Sequence, residues 1–170
     1  MNLLARLFRS APDPREALRL LWHRVVEISR EPEWYAECGV ADTVAGRFDM
    51  ITAVLALVLL RLERDGDGGP QSALLAELFV EDMDGQLRES GVGDIVVGKH
   101  IGKLMASLGG RIGAYRAALA DPVLLEDAVR RNVSLLDECG PEALAERLRS
   151  LAAQLDATAA DALLGGRIAR

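Results

Sequence analysis

The residues best suited to chemistry in this sequence are its two histidines and two cysteines. His23 and His100 do not stand in an HExxH, ExxH or Cys/His arrangement, the spacings that build zinc or di-iron sites. Cys38 and Cys139 lie in unrelated contexts without a CxxC pair, so they predict neither a redox motif nor a zinc site. The sequence also lacks a GxSxG element and a Ser/His/Asp set. It therefore favours a non-enzymatic protein that needs no metal or cofactor.

An acidic cluster, Glu81, Asp82 and Asp84, is similar to the start of a calcium loop, but the pattern fails. Gly85 comes too early for the glycine that such a loop requires, and Gly93 stands where the closing glutamate belongs. We therefore expect these acids to lie on a solvated helix face.

Basic residues follow one predicted helix, although the chain as a whole has a net charge of -6. Lys99 and Lys103 are one turn apart with His100 beside them, and Arg111 and Arg116 follow. Such a stripe predicts a local docking surface for an acidic client segment, ribosomal RNA or anionic lipid. The solvated face of an amphipathic helix is an equally good interpretation. The acidic balance makes specific nucleic-acid binding a poor expectation.

The segment from Gly46 to Met50 opens the longest apolar run of the chain. Glycine inside a helix is unfavourable by about 1 kcal/mol, so its presence at position 46 predicts a close contact. Arg47 and Asp49 point in different directions on a helix, so each needs a partner elsewhere. Ion pairs inside the fold explain these charges as well as a functional role does.

The composition predicts an all-α fold in a single domain. Half of the residues are apolar, aromatic residues are scarce, and Ala, Leu and Arg are abundant. We expect a bundle of about six to seven helices, since the apolar residues recur at steps of three and four. The apolar run at 51–60 is about half the roughly 20 residues that a membrane-spanning helix needs, so we assign it to the core.

Three regions follow from this pattern: an amphipathic segment at 1–14, a helical domain at 15–160 and a loose C-terminal tail at 161–170. The first region is either a membrane-surface anchor or a frayed or packed terminus. Its apolar residues are Leu3, Leu4, Leu7 and Phe8, and its basic residues are Arg6 and Arg9. It lacks the features of a secretory signal.

Within the domain, prolines, caps and glycines set the expected helix boundaries. The predicted helices span 18–28, 44–64, 72–89, 95–119, 122–137 and 141–157, with one further turn at 33–38. Asp42 or Thr43 is the expected cap of the long helix. The helix at 95–119 contains five glycines, which predict close helix packing, a bend near Gly109-Gly110 or an approaching partner backbone.

Three stretches carry a family resemblance: PEWY at 32–35, GVADTVAGRFDM at 39–50 and FVEDMDGQLRESGVGDIVVGKHIGK at 79–103. Gly110-Arg111, Tyr115 and Arg131-Asn132 continue it. Together they resemble the ubiquinol-cytochrome c chaperone family across the central part of the chain.

The resemblance implies a helical, non-enzymatic factor for the assembly of cytochrome b and of the ubiquinol-cytochrome c reductase complex. Mitochondrial relatives act near the ribosome with a small partner. The short N-terminus here is similar to that of a bacterial member, cytoplasmic and working at the inner-membrane face. Contact with a ribosome or a membrane surface belongs to this expectation, and the oligomeric state stays open.

Our hypothesis is a client-binding surface of charged and apolar residues, and the place to test it is the pair of helices joined at Gly91-Val92-Gly93. The residues assigned to it are Arg47, Asp49, Asp82, Asp84, Arg88, Lys99, Lys103, Arg111 and Tyr115. Such a chaperone needs an open apolar patch or groove with a charged rim. The alternatives are a small helical protein that binds or acts on a quinone or another apolar ligand, which needs a deep cavity, and a module that homodimerises.

Overall fold

The computed structural model describes residues 13–64, 66, 68–89 and 94–168, and for 87–89 and 94–100 it describes the backbone alone. The described residues form a 3-10 turn at Pro14–Leu18 followed by eight α-helices. The helices are α1 Arg19–Ser29, α2 Pro32–Ala36, α3 Val44–Arg64, α4 Gly69–Glu89, α5 Asp94–Ala118, α6 Pro122–Asn132, α7 Glu142–Ala157 and α8 Ala160–Leu164. The predicted all-α bundle is confirmed, with α2 and α8 each only 5 residues long.

Side-chain caps fix where several of these helices begin. The Oδ1 atom of Asp121 accepts hydrogen bonds from the amides of Val123 and Leu124 at 2.9 and 3.3 Å. Thr43 is the residue that caps α3, because its Oγ1 accepts the amide of Gly46 at 3.1 Å. These bonds satisfy amides that have no partner within the helix.

Helix α3 forms the centre of the bundle. Every residue from Asp49 to Leu62 is buried, as the apolar run predicts. A helix that is apolar all round must be covered on all sides. Its most extensive contacts are with α1, α5 and α7, and α4 also packs against it.

Helix α6 ends five residues earlier than the sequence predicted. The chain turns extended after Asn132 and forms an isolated antiparallel bridge between Leu135 and Val40. The amide of Ala41 donates to the carbonyl of Ser134 at 2.9 Å. Residues 134 and 135 take part in this pairing instead of continuing α6. Helical periodicity alone does not predict such a pairing.

The C-terminal region differs from the loose tail expected for 161–170. Leu163 of α8 and Ile168 are buried in the core, and Arg24 of α1 donates to the carbonyl of Ile168 at 3.3 Å. Gly166 has a φ of +70°, which lets the chain turn back onto α1. Residues 169–170 lie outside the described part, as does the predicted amphipathic segment up to residue 12.

The glycine of α3 is tightly surrounded, whereas four glycines of α5 face open space. At Gly46 an added Cβ would lie 1.9 Å from the carbonyl oxygen of Ala41, so the close contact predicted there is confirmed. At Gly102, Gly109, Gly110 and Gly113 of α5 an added Cβ would meet nothing within 4 Å. Close packing therefore does not explain these glycines, and α5 continues as one helix through Gly109-Gly110.

Candidate functional site

Asp49 and Arg111 form an ion pair inside the bundle, between α3 and α5. The Nη2 atom of Arg111 donates to Oδ1 of Asp49, and the two side chains are 8% and 12% exposed, respectively. The second carboxylate oxygen, Oδ2, accepts the amide of Ser134 at 2.9 Å and its hydroxyl at 2.8 Å. The carboxylate is thus bound on both oxygens, as a buried charge requires.

Arg111 makes further contacts that extend this cluster. Its guanidinium donates to Ser107 Oγ on α5 and, at 2.7 Å, to the carbonyl of Asn132 at the end of α6. It also lies 5.8 Å from the centre of the Phe48 ring, within the range of a cation–π contact. One side chain therefore links α3, α5 and the C-terminal end of α6.

Tyr115, one turn further along α5, is fully buried. Its hydroxyl finds no hydrogen-bond partner among the described residues. Burial raises the pKa of this phenol far above its usual value, because the phenolate would lose its water. Tyr115 therefore contributes to the packing of the hydrophobic core.

These positions correct the hypothesis for three of the assigned residues. Asp49, Arg111 and Tyr115 were expected on a client-binding surface, but they lie in the interior and cannot touch a client in this conformation. The cause is the pairing that the sequence left open: the partner of Asp49 is an arginine 62 positions away. Their role in this structure is to hold α3, α5 and α6 together.

Arg47 lies at the surface, and its partner is not Asp49. Its Nε donates to Oδ1 of Asp42 at 2.6 Å, and this bond lowers the pKa of the Asp42 carboxyl. Arg116, from the predicted basic stripe, pairs with Glu63 of α3. Both pairs are solvent-exposed, so each contributes little to stability.

An open apolar groove runs along the surface between α4 and α5. It has a volume of about 600 Å³, and its lining is mostly apolar. The apolar lining residues are Ala73, Ala76, Val80, Ile101 and Met105. The charged lining residues are Arg15, Glu77, Glu81 and Asp84. From here on this feature is called the α4/α5 groove.

The remaining assigned residues lie on these same two helices. Asp84 lines the α4/α5 groove, and Lys103 is exposed on α5. Asp82 faces a second depression, between α1 and α4, beside Trp22 and the exposed His23. The side chains of Arg88 and Lys99 lie outside the described part.

Sequence reasoning missed the apolar residues of the groove. Ala73, Ala76, Val80 and Asp84 recur at helical spacing on α4, beside the core stripe that contains Leu75 and Phe79. The apolar arc of this helix is therefore wider than one core contact needs. The width of this apolar arc indicates a second apolar surface on α4. Alanine is a weak indicator of such a surface, because it is common on both buried and exposed helix faces.

The described residues offer little for catalysis. Among them there is no group of three or more His, Cys, Asp or Glu side chains that could hold a metal ion. Cys38 is buried, which raises the pKa of its thiol and disfavours the reactive thiolate. The described helices include none that is long and apolar enough to span a lipid bilayer.

Comparison with known proteins decides the family. The profile described as ubiquinol-cytochrome C chaperone matches residues 36–170. The chain belongs to the ubiquinol-cytochrome c chaperone family. The match confirms the resemblance and extends it through α7 and α8 to the C-terminus, well beyond the central stretches that carried it.

A solved structure is similar to this member of the ubiquinol-cytochrome c chaperone family over almost its whole length. It is described as the crystal structure of the Cbp3 homolog from Brucella abortus, and the two chains are 31% identical with a TM-score of 0.78. The similarity covers 98% of this chain and 95% of the other. A comparison with curated proteins gives no significant match.

Proposed function

We propose that this chain is a non-enzymatic assembly factor for the ubiquinol-cytochrome c reductase, and that it holds an apolar segment of cytochrome b in the α4/α5 groove. The observation that carries the proposal is the open apolar groove with charged residues along its rim. Membership of the ubiquinol-cytochrome c chaperone family supports the class of complex that is assembled. The expected place of action is the inner-membrane face.

The groove suits a membrane-protein segment that has not yet reached the bilayer. Such a segment presents apolar side chains, and each one buried contributes about 1.5–3 kcal/mol. The alanines leave room for larger side chains, while Met105 is flexible enough to adapt to different ones. Arg15 and the carboxylates of Glu77 and Glu81 line the groove and supply charges that orient the segment.

A quinone-binding protein is the alternative from another class. A quinone ring needs a concave pocket that covers most of its surface and a few convergent polar groups. Among the described residues, the α4/α5 groove is open to solvent rather than enclosed, which favours a chain segment over a small ring. Its three carboxylates accept hydrogen bonds and cannot donate them, so they would not bind quinone carbonyls.

Two exposed residues of α5 provide a matched test. Met105 lines the groove and is 40% exposed, whereas Ala117 is exposed on another face of the same helix. In a strain that lacks the gene, a plasmid with Met105→Asp should restore much less assembled reductase than the wild-type gene, and Ala117→Asp should restore it fully. The readout is the spectrum of reduced cytochrome b in the membranes.

Both substitutions add the same charge to the same helix, and the free energy of unfolding of each variant is measured beside its complementation. Equal free energies of unfolding would exclude a loss of stability as the cause of a difference in assembled reductase. Equal restoration by both genes would contradict the groove, and normal reductase in the deletion strain would contradict the proposed function itself.

A further inference from the structure

The α4/α5 groove follows the faces of two helices that pack against each other. On α4 its lining residues recur at steps of three and four from Ala73 to Asp84, so they share one face of that helix. At about 1.5 Å per residue this stretch is about 17 Å long, or about three helical turns. On α5, Ile101 and Met105 are one turn apart and line the same groove. Its length and its periodic walls are those of a site for a third helix.

The described walls of the groove offer little backbone that could pair with an extended chain. Apart from Arg15, all of the lining residues lie inside α4 or α5, where amides and carbonyls are bonded along the helix. An extended client would place its own amides and carbonyls against apolar side chains without partners, which is unfavourable. A helical client satisfies these groups within itself and presents only side chains. The groove therefore favours a client segment that is already helical.

Small side chains on α4 allow a helix to come close. Ala73 is exposed and Ala76 is half-buried, and a methyl group extends only a short way from the backbone of α4. The axes of packed helices lie about 8–10 Å apart, and the distance depends on the side chains at the contact. Large apolar side chains of a client helix can therefore enter beside the alanines. Met105, which is 40% exposed on the opposite wall, is flexible enough to adapt to their shapes.

We infer that the cytochrome b segment lies in the α4/α5 groove as an α-helix, with about twelve residues in contact. Its apolar side chains recur at steps of three and four and face the alanines of α4, which is the pattern of a helix bound in a groove. The inference rests on the proposed function, since it names the conformation of the client that the groove holds.

The length of the groove determines how much of a client is covered. A membrane-spanning helix needs about 20 residues, and a groove about 17 Å long covers somewhat more than half of them. An apolar segment that cannot form a helix should bind weakly, however apolar it is. The groove therefore selects clients by helix formation as well as by apolar character, which distinguishes membrane-spanning segments from other exposed apolar chains.

A proline in the client tests the helix directly. The probes are synthetic peptides with the sequences of the membrane-spanning helices of cytochrome b, with lysines added at both ends for solubility, and fluorescence anisotropy measures their Kd for the full chain. In the peptide that binds most tightly, one central apolar residue is replaced by proline and, as the matched control, by alanine. We expect the proline peptide to bind about a hundredfold more weakly than the alanine peptide, because proline breaks a helix but not an extended chain. Equal binding would overturn the helix and leave the proposed function standing.

A substitution scan of the same peptide measures the geometry of the contact. Aspartate replaces each residue of its central part in turn. A helix in the groove predicts losses of about tenfold or more at positions that recur about every 3.6 residues, and small changes between them. Losses at every second residue would indicate an extended client, and equal losses at all positions would indicate an unspecific apolar contact. Either of these results would overturn the inference.

Substitutions in the groove test whether the client helix comes close to α4. Ala76→Leu adds apolar area but fills the space for a client side chain, so it should weaken binding of the peptide about tenfold. Ala73→Leu repeats the test at an exposed position of the same groove. Ala117→Leu makes the same change on an exposed face of α5 outside the groove and should leave the Kd unchanged. Unchanged or tighter binding by both groove variants would show that apolar area alone suffices, and would overturn the close contact.

Two further results separate this inference from the proposed function. No binding by any of the cytochrome b peptides would contradict the proposed function, and the helical client with it. Self-association of the chain that Ala76→Leu abolishes, measured by analytical ultracentrifugation, would in that case assign the groove to a second copy of the chain. Tight binding with the helical period and the proline effect is the result that we expect.

Discussion

Asp49 and Arg111 are 62 positions apart in the sequence and form one buried ion pair between α3 and α5. Ser134 binds the second oxygen of the carboxylate, so the segment after α6 joins the same cluster. The helix that forms one wall of the α4/α5 groove is thereby fixed to the centre of the bundle. This pair therefore contributes to the position of α5 in the bundle.

Removal of the Arg111 side chain should strongly destabilise the protein. Arg111→Ala leaves the Asp49 carboxylate buried without its cation, which we expect to lower the free energy of unfolding by about 3–5 kcal/mol. Urea unfolding followed by circular dichroism measures it. Arg116→Ala breaks the exposed pair with Glu63 and should change stability by less than about 1 kcal/mol. Similar losses for both variants would contradict the burial of the pair.

Tyr115 should tolerate loss of its hydroxyl but not of its ring. The hydroxyl is buried without a hydrogen-bond partner among the described residues, so Tyr115→Phe should be neutral or stabilising, within about 1 kcal/mol. Tyr115→Ala should cost about 3–5 kcal/mol through the cavity that it leaves. Thermal and urea unfolding of both variants give the comparison. A marked loss in Tyr115→Phe would mean that the hydroxyl has an acceptor.

Glycine to alanine substitutions should have opposite signs at two positions. Gly39 has a φ of +71°, and an added Cβ would lie 2.4 Å from Cβ of Cys139, so Gly39→Ala should cost more than about 1 kcal/mol. Gly113 lies in an exposed turn of α5 with nothing within 4 Å, so Gly113→Ala should stabilise by up to about 1 kcal/mol. Differential scanning calorimetry of the two variants measures the change in stability. Destabilisation by both substitutions would contradict the open space beside Gly113.

The carboxyl of Asp13 should titrate at an unusually low pH. Its hydrogen bonds with Arg15 lower its pKa from 3.8 to about 2. Because the pKa of the folded state lies below that of the unfolded state, the stabilisation is present above pH 3.8 and is lost as the pH falls towards 2. NMR titration of the side chain measures the midpoint. Arg15→Gln should return it towards 3.8, and an unchanged midpoint in that variant would show that Arg15 is not the cause.

Much of the fold follows from local patterns in the sequence. The apolar periodicity predicts α3 and α5 closely, and Thr43 and the prolines mark where helices begin, since a cap and a fixed φ act on their own neighbours. The end of α6 was less predictable, because the bridge between Val40 and Leu135 joins segments that are distant in sequence. Local propensity holds no information about such a pairing.

In the candidate site, too, the sequence predicts local features but not the contacts between distant residues. Charged residues drew attention to Asp49 and Arg111, yet only their distance in the fold shows that they satisfy each other. The α4/α5 groove depends on alanines, which carry no chemical signal until two helices place them side by side. The sequence predicted the pair of helices joined at Gly91-Val92-Gly93 as the site, and the packing of the described residues shows which faces of these helices are open.

The central claim is that cytochrome b lies in the α4/α5 groove, and site-specific crosslinking tests it most directly. A photoreactive amino acid in place of Met105, inside the groove, is compared with one in place of Ala117, outside it, in cells that synthesise cytochrome b. The account predicts a crosslink to cytochrome b from position 105 and none from position 117. A crosslink of equal strength from both positions, or from position 117 alone, would contradict it.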